Sequence, residues 1–330
     1  MNYYLGVDGG GSKTLAVVCD ERGVILGRGH SGCGNHQSGA EPAKANIREA
    51  VEGALAQAGL KRGEIAFTVY GLAGADREAD FRVLRPMLAD LGLAAHDIVC
   101  DTVIGLRAGT RQPDGVVLVC GSGTNCYGIN KRGESFQCGG FGYPYGDFGG
   151  GTDLAVEAFR SVIRAWEGRG EPTLLTEAVP ASLGYASVEA MFHDFLDRDA
   201  RIPRHLAKLL FEVADRDEVA RRILRRQGRE LGLSAEATIR RLGMEGDAFD
   251  LVLVGSVLTR GESRFVAPYI EEVVLPTAPG CGLRVLTIEP VGGALLLAME
   301  RTGREVPAEA YDNLSRALAV NAADGGGNEE

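Results

Sequence analysis

The sequence lacks the cysteine and histidine patterns that bind metals. Its seven cysteines never form a Cys-x-x-Cys pair, and none of its five histidines belongs to a His-Glu-x-x-His motif. Neither a zinc ribbon, a dithiol redox site nor a zinc protease site is therefore indicated. An odd number of scattered cysteines is typical of reduced thiols, so we expect a cytoplasmic protein.

Positive charge is also scarce. The chain has 35 basic and 45 acidic residues, a net charge of −10, whereas a nucleic-acid surface needs a basic stripe. Apolar runs such as 294–299 are far too short to span a bilayer. The first predicted strand begins at Tyr3, so we expect no signal peptide. These features predict a protein with neither a nucleic-acid nor a membrane partner.

Glycine, in contrast, is abundant. The chain has 47 glycines in 330 residues, well above the roughly 7% average, and many of them follow apolar runs. The length suggests about two domains. Glycine-rich loops at strand ends allow the backbone to fold closely around a ligand.

The segment 5–14, Leu-Gly-Val-Asp-Gly-Gly-Gly-Ser-Lys-Thr, carries the clearest signal. An apolar strand meets Asp8 and three glycines, and a second apolar strand follows. Glycine backbone folds so that several N–H groups point into one concavity, which suits a phosphate. The Walker spacing is not met. We therefore predict a β-hairpin whose tip binds phosphate.

A second segment repeats this pattern. Strand 116–120 meets Gly-Ser-Gly-Thr at 121–124, strand 126–129 follows, and an Arg-Gly turn leads to a third strand. Such a repeat indicates a duplicated domain with two phosphate loops facing a nucleotide cleft. The alternative is a chance similarity, because glycine-turn hairpins are common.

The rest of the pattern is α/β with a helical second half. The sequence predicts strands at 3–7, 15–20, 24–28, 65–70, 97–100, 116–120, 126–129, 135–138, 250–254 and 283–287. It predicts helices at 42–57, 78–91, 152–166, 187–196, 204–214, 218–242, 264–274 and from about 294 to 301. We divide the chain into lobes at 1–112 and 113–323 and predict a disordered tail at 324–330.

Five glycine-rich stretches taken in order resemble one known family. They are Val7–Thr14, Gly71–Asp76, Gly121–Cys126, Cys138–Gly142, and Gly146-Asp147 with its glycines. From about residue 4 to residue 300 the chain resembles the N-acetylglucosamine kinase branch of the BadF/BadG/BcrA/BcrD ATPase family, within the actin-like, Hsp70 and sugar kinase superfamily. The resemblance implies two duplicated actin-like, RNase H-like lobes, each a mixed sheet flanked by helices, with nucleotide and sugar between them.

The resemblance also implies an activity. The expected enzyme uses ATP and Mg²⁺ to phosphorylate the 6-hydroxyl of an amino sugar, with N-acetylglucosamine first and glucosamine or another hexose as alternatives. A homodimer is a further family expectation. An alternative of another class is an ATPase that activates a dehydratase or reductase through a bridging cluster, for which Cys126 and Cys138 are the only tempting ligands.

Two aspartates are candidates for the chemistry. Asp101 follows strand 97–100, at the strand end where open α/β sheets bind ligands. It is either the base that accepts the hydroxyl proton or a helix N-cap, and the resemblance favours the base. Asp8 is either a Mg²⁺ ligand acting through water or a turn residue bonded to its own loop.

The remaining candidates fall into three groups. The predicted phosphate contacts are Gly10, Gly11, Ser12, Lys13, Thr14, Gly121, Ser122, Gly123 and Thr124. Gly255 and Ser256 resemble the adenosine-binding turn, and Arg260 is either near the nucleotide or an exposed helix residue. The predicted sugar contacts are Asn35, His36, Gly74, Asp101, Asn125, Gly139, Gly140 and Asp147. For most of them the alternative is a structural one: turn capping for Asn35, packing for His36, and bracing of the glycine-rich loop for Asp147.

One residue departs from the family pattern. Relatives usually have Gly-Asp-Glu-Gly where this chain has Gly146-Asp147-Phe148-Gly149. The missing carboxylate either alters sugar choice or the reaction rate, or is silent because the side chain at this position points away from the sugar.

Overall fold

A computed structural model describes residues 1–259 and 263–320. The predictions made for Arg260 and for the tail 324–330 lie outside these residues. Within the described part of the chain, no helix combines the length and the apolar character that crossing a membrane requires.

In the described part of the chain, ten strands form two five-stranded sheets. The strands are β1 (Tyr3–Gly9), β2 (Thr14–Asp20), β3 (Ile25–Ser31), β4 (Ile65–Leu72), β5 (His96–Cys100), β6 (Gly115–Cys120), β7 (Thr124–Ile129), β8 (Ser135–Gly139), β9 (Phe249–Val254) and β10 (Cys281–Val285). The first sheet has the order β3-β2-β1-β4-β5, with β1–β2 and β2–β3 antiparallel and β1–β4 and β4–β5 parallel. The second has the order β10-β9-β6-β7-β8, with β7 and β8 antiparallel.

The two sheets have the same strand order. Read from its other edge, the second sheet runs β8-β7-β6-β9-β10, which is the first order with five added to each strand number. The strand–tip–strand–turn–strand repeat in the sequence therefore corresponds to a repeated sheet, and the predicted α/β class is confirmed.

Helices connect and cover the strands. They are α1 (Ala40–Ala58), α2 (Glu78–Ala89), α3 (Asp101–Gly109), α4 (Gly151–Trp166), α5 (Leu175–Ser182), α6 (Val188–Arg198), α7 (Leu206–Val213), α8 (Glu218–Leu242), α9 (Ser256–Thr259), α10 (Ala267–Val274), α11 (Val291–Glu300) and α12 (Ala308–Ala317). A single helix, α1, joins β3 to β4. The corresponding connection from β8 to β9 holds the five helices α4 to α8, which accounts for the helical second half.

Residues from Arg284 onward belong to the same compact unit as residues 1–117, and residues 118–283 form the second unit. This division differs from the predicted lobes 1–112 and 113–323. The physical reason is α11, in which every residue from Val291 to Met299 is buried. A Cβ added to Gly293 would lie 1.9 Å from the Ile104 carbonyl oxygen, and one added to Gly6 would lie 3.0 Å from Leu295. Close glycine contacts therefore attach α11 to α3 and β1.

Some helices were not anticipated or begin elsewhere. The predicted helices did not include α5, α9 or α12, and α3 was allowed only through the N-cap alternative for Asp101. The prediction also began α11 after the glycine pair Gly292-Gly293 rather than at Val291. In α3 the run Thr102-Val103-Ile104 has strand propensity, which tertiary packing overrides. In α11 the glycines serve close helix packing rather than a loop.

Candidate active site

The first glycine-rich tip joins β1 to β2. The Gly10 amide donates to the Lys13 carbonyl at 2.9 Å, and the Gly10 carbonyl accepts from the Gly34 amide at 3.0 Å. Gly11, Ser12 and Lys13 are exposed. A Cβ at Gly11 would meet no atom within 4 Å. The outer face of the tip therefore has room for a ligand beside its backbone N–H groups.

Thr14 differs from its neighbours in the tip because it is buried. Its hydroxyl donates to the Gly32 carbonyl at 2.8 Å, which fastens the start of β2 to the residue after β3. The structure therefore favours a structural role for this hydroxyl over the predicted phosphate contact.

Asp8, near the end of β1, lies in a region of excess negative charge. The pKa of its carboxyl is raised to about 7, mainly by burial; the charges of Asp101 and Glu289 contribute to the rise, and Lys13 opposes it. The Lys13 ammonium is 3.9 Å from Glu289. A carboxylate whose charge is unfavourable without a partner is one that a bound cation stabilises.

The donor set at Asp8 fits Mg²⁺ rather than a metal bound by protein alone. Among residues 1–259 and 263–320, no three His, Cys, Asp or Glu side chains are arranged to hold a metal ion. Mg²⁺ typically uses one or two carboxylates together with water and substrate phosphates. Asp8 beside an open phosphate-sized tip matches that pattern.

Asp101 directly follows β5 and is the first residue of α3. Burial is the main cause of the raised pKa of its carboxyl, and Asp76 adds to it. The helix N-terminus favours a negative charge at this position. Because β1, β4 and β5 are parallel, their carboxyl ends bring Asp8, the loop 73–76 and Asp101 to one edge of the sheet.

The last residue of β5, directly before Asp101, is Cys100, whose side chain is buried. Its sulfur lies 3.2 Å from Asp101 Oδ1 and 3.1 Å from Asp76 Oδ1. Sequence analysis treated Cys100 only as one of several scattered thiols, and nothing in the local pattern pairs it with Asp76.

The predicted sugar residues of the first unit lie together. Asn35 caps a short 3-10 turn, His36–Ser38, by accepting from the Gln37 amide at 2.9 Å. A Cβ added to Gly74 would lie 3.0 Å from Asn35 Oδ1, so the two are neighbours. His36 is buried, with Nε2 3.4 Å from Asp80. The structure favours packing for His36 and gives Asn35 its turn-capping role.

The second glycine-rich tip joins β6 to β7. The Gly121 amide donates to the Gly123 carbonyl at 2.9 Å, and the Gly121 carbonyl accepts from Gly151 in α4 at 2.8 Å. Thr152 donates to the Ser122 carbonyl at 3.1 Å. The first turn of α4 therefore holds this tip, while Ser122 and Gly123 remain exposed.

Asp147 organises the glycine-rich loop after β8. One carboxylate oxygen accepts from the amides of Gly140, Phe141 and Gly142 at 3.1, 2.7 and 2.5 Å. A Cβ on Gly139 would lie 2.4 Å from the other oxygen. The structure therefore favours bracing of the loop over direct sugar contact for Asp147.

Asn125 lies beneath the same loop. A Cβ on Gly140 would be 2.7 Å from the Asn125 amide carbon, and the Oδ1 atom of Asn125 is buried without a hydrogen-bond partner. A buried acceptor without a partner costs stability. The Oδ1 atom of Asn125 is therefore suited to accept a hydrogen bond from a ligand.

Phe148 is buried and points away from solvent. Its ring is 7% exposed, and the Arg226 guanidinium lies 3.8 Å from the ring centroid. The following carbonyl, of Gly149, accepts from Gln227 Nε2 at 2.7 Å. The side chain at position 148 is therefore covered by α8. This favours the alternative in which the absence of the usual glutamate has no effect on the sugar.

The predicted adenosine turn is next to the second tip. Gly255 has a φ of +97°, and a Cβ there would lie 2.3 Å from the Cys120 carbonyl oxygen. Ser256 starts the short helix α9. Only glycine fits at position 255. The turn therefore packs against Cys120, the residue directly before the second tip.

Comparison with known proteins gives the family. The model of the BadF/BadG/BcrA/BcrD ATPase family matches residues 5–298. The chain belongs to this family. An N-acetylmuramic acid/N-acetylglucosamine kinase of Clostridium acetobutylicum is 31% identical over 264 residues, 78% of this chain and 86% of that protein. An N-acetyl-D-glucosamine kinase of Dictyostelium discoideum is 28% identical, with 90% and 97% covered. The family prediction is confirmed.

Solved structures agree on the fold. A provisionally named N-acetylglucosamine kinase of Chromobacterium violaceum has a TM-score of 0.70 at 24% identity, covering 90% of this chain and 99% of that one. A ROK family glucokinase of Streptomyces griseus, in complex with glucose and AMPPNP, has a TM-score of 0.60 at 20% identity, with 91% and 100% covered. This BadF-family chain therefore has the sugar kinase fold.

Proposed function

We propose that this chain is an ATP-dependent kinase that transfers the γ-phosphate to the 6-hydroxyl of an amino sugar, with N-acetylglucosamine as the first substrate. Family membership and the activities of the two relatives named above support the reaction class. N-acetylmuramate and glucosamine are the next candidates, since relatives acting on both are known at 31% and 28% identity.

One observation carries the proposal. Parallel strands bring two partly buried carboxylates, Asp8 and Asp101, to one sheet edge beside an open glycine-rich tip. The charge of Asp101 adds to burial in raising the pKa of the Asp8 carboxyl. Phosphoryl transfer needs a cation site near the phosphates and a base near the hydroxyl, and this pair supplies both in one place.

The roles follow from position. Asp101 accepts the proton of the sugar hydroxyl as that oxygen attacks the γ-phosphorus, and ADP leaves with the bridging electrons. Asp8 would hold Mg²⁺, which neutralises phosphate charge. The tip amides and Lys13 position the phosphates. In the second unit, Gly121–Thr124 would bind phosphate, and Asn125 and the loop braced by Asp147 would bind the sugar.

The activator ATPase is the second candidate. It would require cluster ligation by Cys126 and Cys138, which are directly paired across β7 and β8. The Cys126 sulfur is buried and lies 3.3 Å from the Thr238 hydroxyl of α8. Thiols packed beneath a helix suit a core better than a bridging cluster, which favours the kinase.

The first test is ADP release with Mg²⁺–ATP against N-acetylglucosamine, glucosamine, N-acetylmuramate, N-acetylmannosamine, glucose and no sugar. We expect release that depends on an amino sugar. Sugar-independent release together with iron in the purified protein would support the activator instead. The 6-deoxy form of the best sugar is the matched control, and its turnover would contradict the 6-hydroxyl assignment.

A further inference from the structure

Cys100 occupies an unusual position for a buried thiol. It is the last residue of β5, its side chain is 6% exposed, and carboxylate oxygens of Asp76 and Asp101 lie 3.1 and 3.2 Å from its sulfur. Asp76 reaches the thiol from the turn that follows β4, the neighbouring parallel strand. The contact therefore joins the end of β5 to the loop that follows its neighbouring strand.

A thiol has one hydrogen, so it donates to only one of the two carboxylates at a time. Donation to Asp101 stabilises the charged form of that carboxylate and fixes the direction of its oxygens. When Asp101 carries a proton, the thiol hydrogen is free to turn to Asp76. One sulfur therefore connects the candidate base to a second carboxylate.

We propose that Cys100 is a positioning residue for phosphoryl transfer, whose thiol orients the Asp101 carboxylate and links it to Asp76. This rests on the proposed function, in which Asp101 is the base. No bond to sulfur forms or breaks in the reaction. The hydroxyl proton moves to Asp101, and the thiol hydrogen changes its acceptor from Asp101 to Asp76.

The charges around Asp101 set the direction of each effect. The Cys100 hydrogen bond lowers the pKa of the Asp101 carboxyl, and the Asp76 charge raises it. The other charged group facing Asp101 is Asp8 on β1, with Lys13 and Glu289 beside it. Removing the thiol and removing the Asp76 charge should therefore have opposite consequences.

The experiment compares Cys100→Ala, Cys100→Ser and Asp76→Asn in the full chain, using the best sugar of the panel above. We expect Cys100→Ala to lower kcat about tenfold, the equivalent of one lost hydrogen bond, and to move the acid limb of the kcat pH profile to higher pH. The serine variant keeps a donor and should retain most of kcat. Asp76→Asn should move the acid limb to lower pH.

Cys19→Ala is the matched control, because it removes a fully buried thiol from β2 of the same sheet. We expect lower stability with an unchanged pH profile. The inference is overturned if Cys100→Ala keeps the parent kcat and profile, if serine and alanine are equally impaired, or if Cys19→Ala shifts the profile alike. Absence of sugar-dependent turnover in the parent would instead refute the proposed function.

Discussion

Asp101 and Asp8 differ from the many exposed carboxylates of this acidic chain, because burial raises the pKa of both. Many surface acids of the chain are instead paired with arginine, as in the contact of Arg132 with Glu134. The positive charge of Lys13 lowers the pKa of Asp8. The same ammonium group lies 3.9 Å from the carboxylate of Glu289, so its charge is shared between two acidic residues. The site is therefore short of positive charge, which the proposed Mg²⁺ would supply.

Asp101→Asn should abolish transfer, since an amide cannot accept the hydroxyl proton. We expect kcat to fall by at least about 100-fold, with sugar binding measured by calorimetry within a few-fold of the parent. Asp101→Glu is the control that keeps the carboxylate and should retain measurable turnover. Full kcat in the asparagine variant would remove Asp101 as the base.

Asp8→Asn should stabilise the protein at alkaline pH. Since the folded-state pKa is raised to about 7, the favourable contribution of the protonated carboxyl is complete below about pH 4 and is lost as the pH rises through 7. We expect the variant to gain up to about 4 kcal/mol at pH 8 and nothing at pH 4. Urea denaturation of both proteins at each pH measures this, and a gain independent of pH would contradict it.

Among elements, the loop from Gly139 to Gly146 is held mainly by one side chain. Three successive amides donate to Asp147, and glycines with positive φ shape the loop on either side. These hydrogen bonds to Asp147 hold the backbone groups of the loop at fixed positions, although the loop has little regular secondary structure. Sequence reasoning placed the loop at the sugar and left the role of the aspartate open.

Asp147→Ala should release this loop. We expect amide hydrogens of residues 140–142 to exchange at least about tenfold faster, because each loses its acceptor. Asp153→Ala is the control, since Asp153 accepts from the backbone of Gly149 and Gly150, outside the segment 140–142. Unchanged exchange at 140–142 in the Asp147 variant would show that the backbone holds the loop alone.

Helix α11 depends on glycine for its approach to α3. Gly293→Ala would place a Cβ 1.9 Å from the Ile104 carbonyl, whereas Gly292→Ala would meet only side-chain ends at 3.1 and 3.2 Å. We expect the first to lower the free energy of unfolding by about 3 kcal/mol. The second should be nearly neutral, since alanine gains about 1 kcal/mol in helix propensity. Equal losses in urea denaturation would refute this packing argument.

At the scale of the whole molecule, two features stand out. The five-stranded sheet occurs twice, and the C-terminal part of the chain belongs to the first unit. The repeat gives each unit a glycine-rich tip between its first two strands. The return, from Arg284 onward, makes the first unit discontinuous in sequence. Its core therefore includes α11, which lies about 190 residues beyond α3.

A chain that ends at Glu289 should lose the cooperative folding of its first unit, because the buried faces of α11 are then missing. We expect a lost or broadened thermal transition by circular dichroism. A chain ending at Val320 keeps all the described contacts and should unfold at the parent midpoint. Equal midpoints for the two truncations would contradict the role assigned to α11.

The sequence by itself determined the features that depend on local backbone chemistry. Apolar runs ending in glycine and aspartate predict both hairpin tips, the repeat, and the position of Asp8 and Asp101 at strand ends, and family motifs reside in these same stretches. The activity inferred from them remains a proposal.

Only the tertiary structure decided which distant groups meet. The bonds from Cys100 to Asp76, from Asp147 to three loop amides and from Thr14 to Gly32 each depend on strand order or loop path, which local pattern does not encode. The burial of Phe148 beneath Arg226 and the return of α11 to the first sheet have the same origin. Local sequence does not distinguish among the possible hydrogen-bond and packing partners of these residues. Tertiary packing determines which of them meet, because burial is a property of the whole fold.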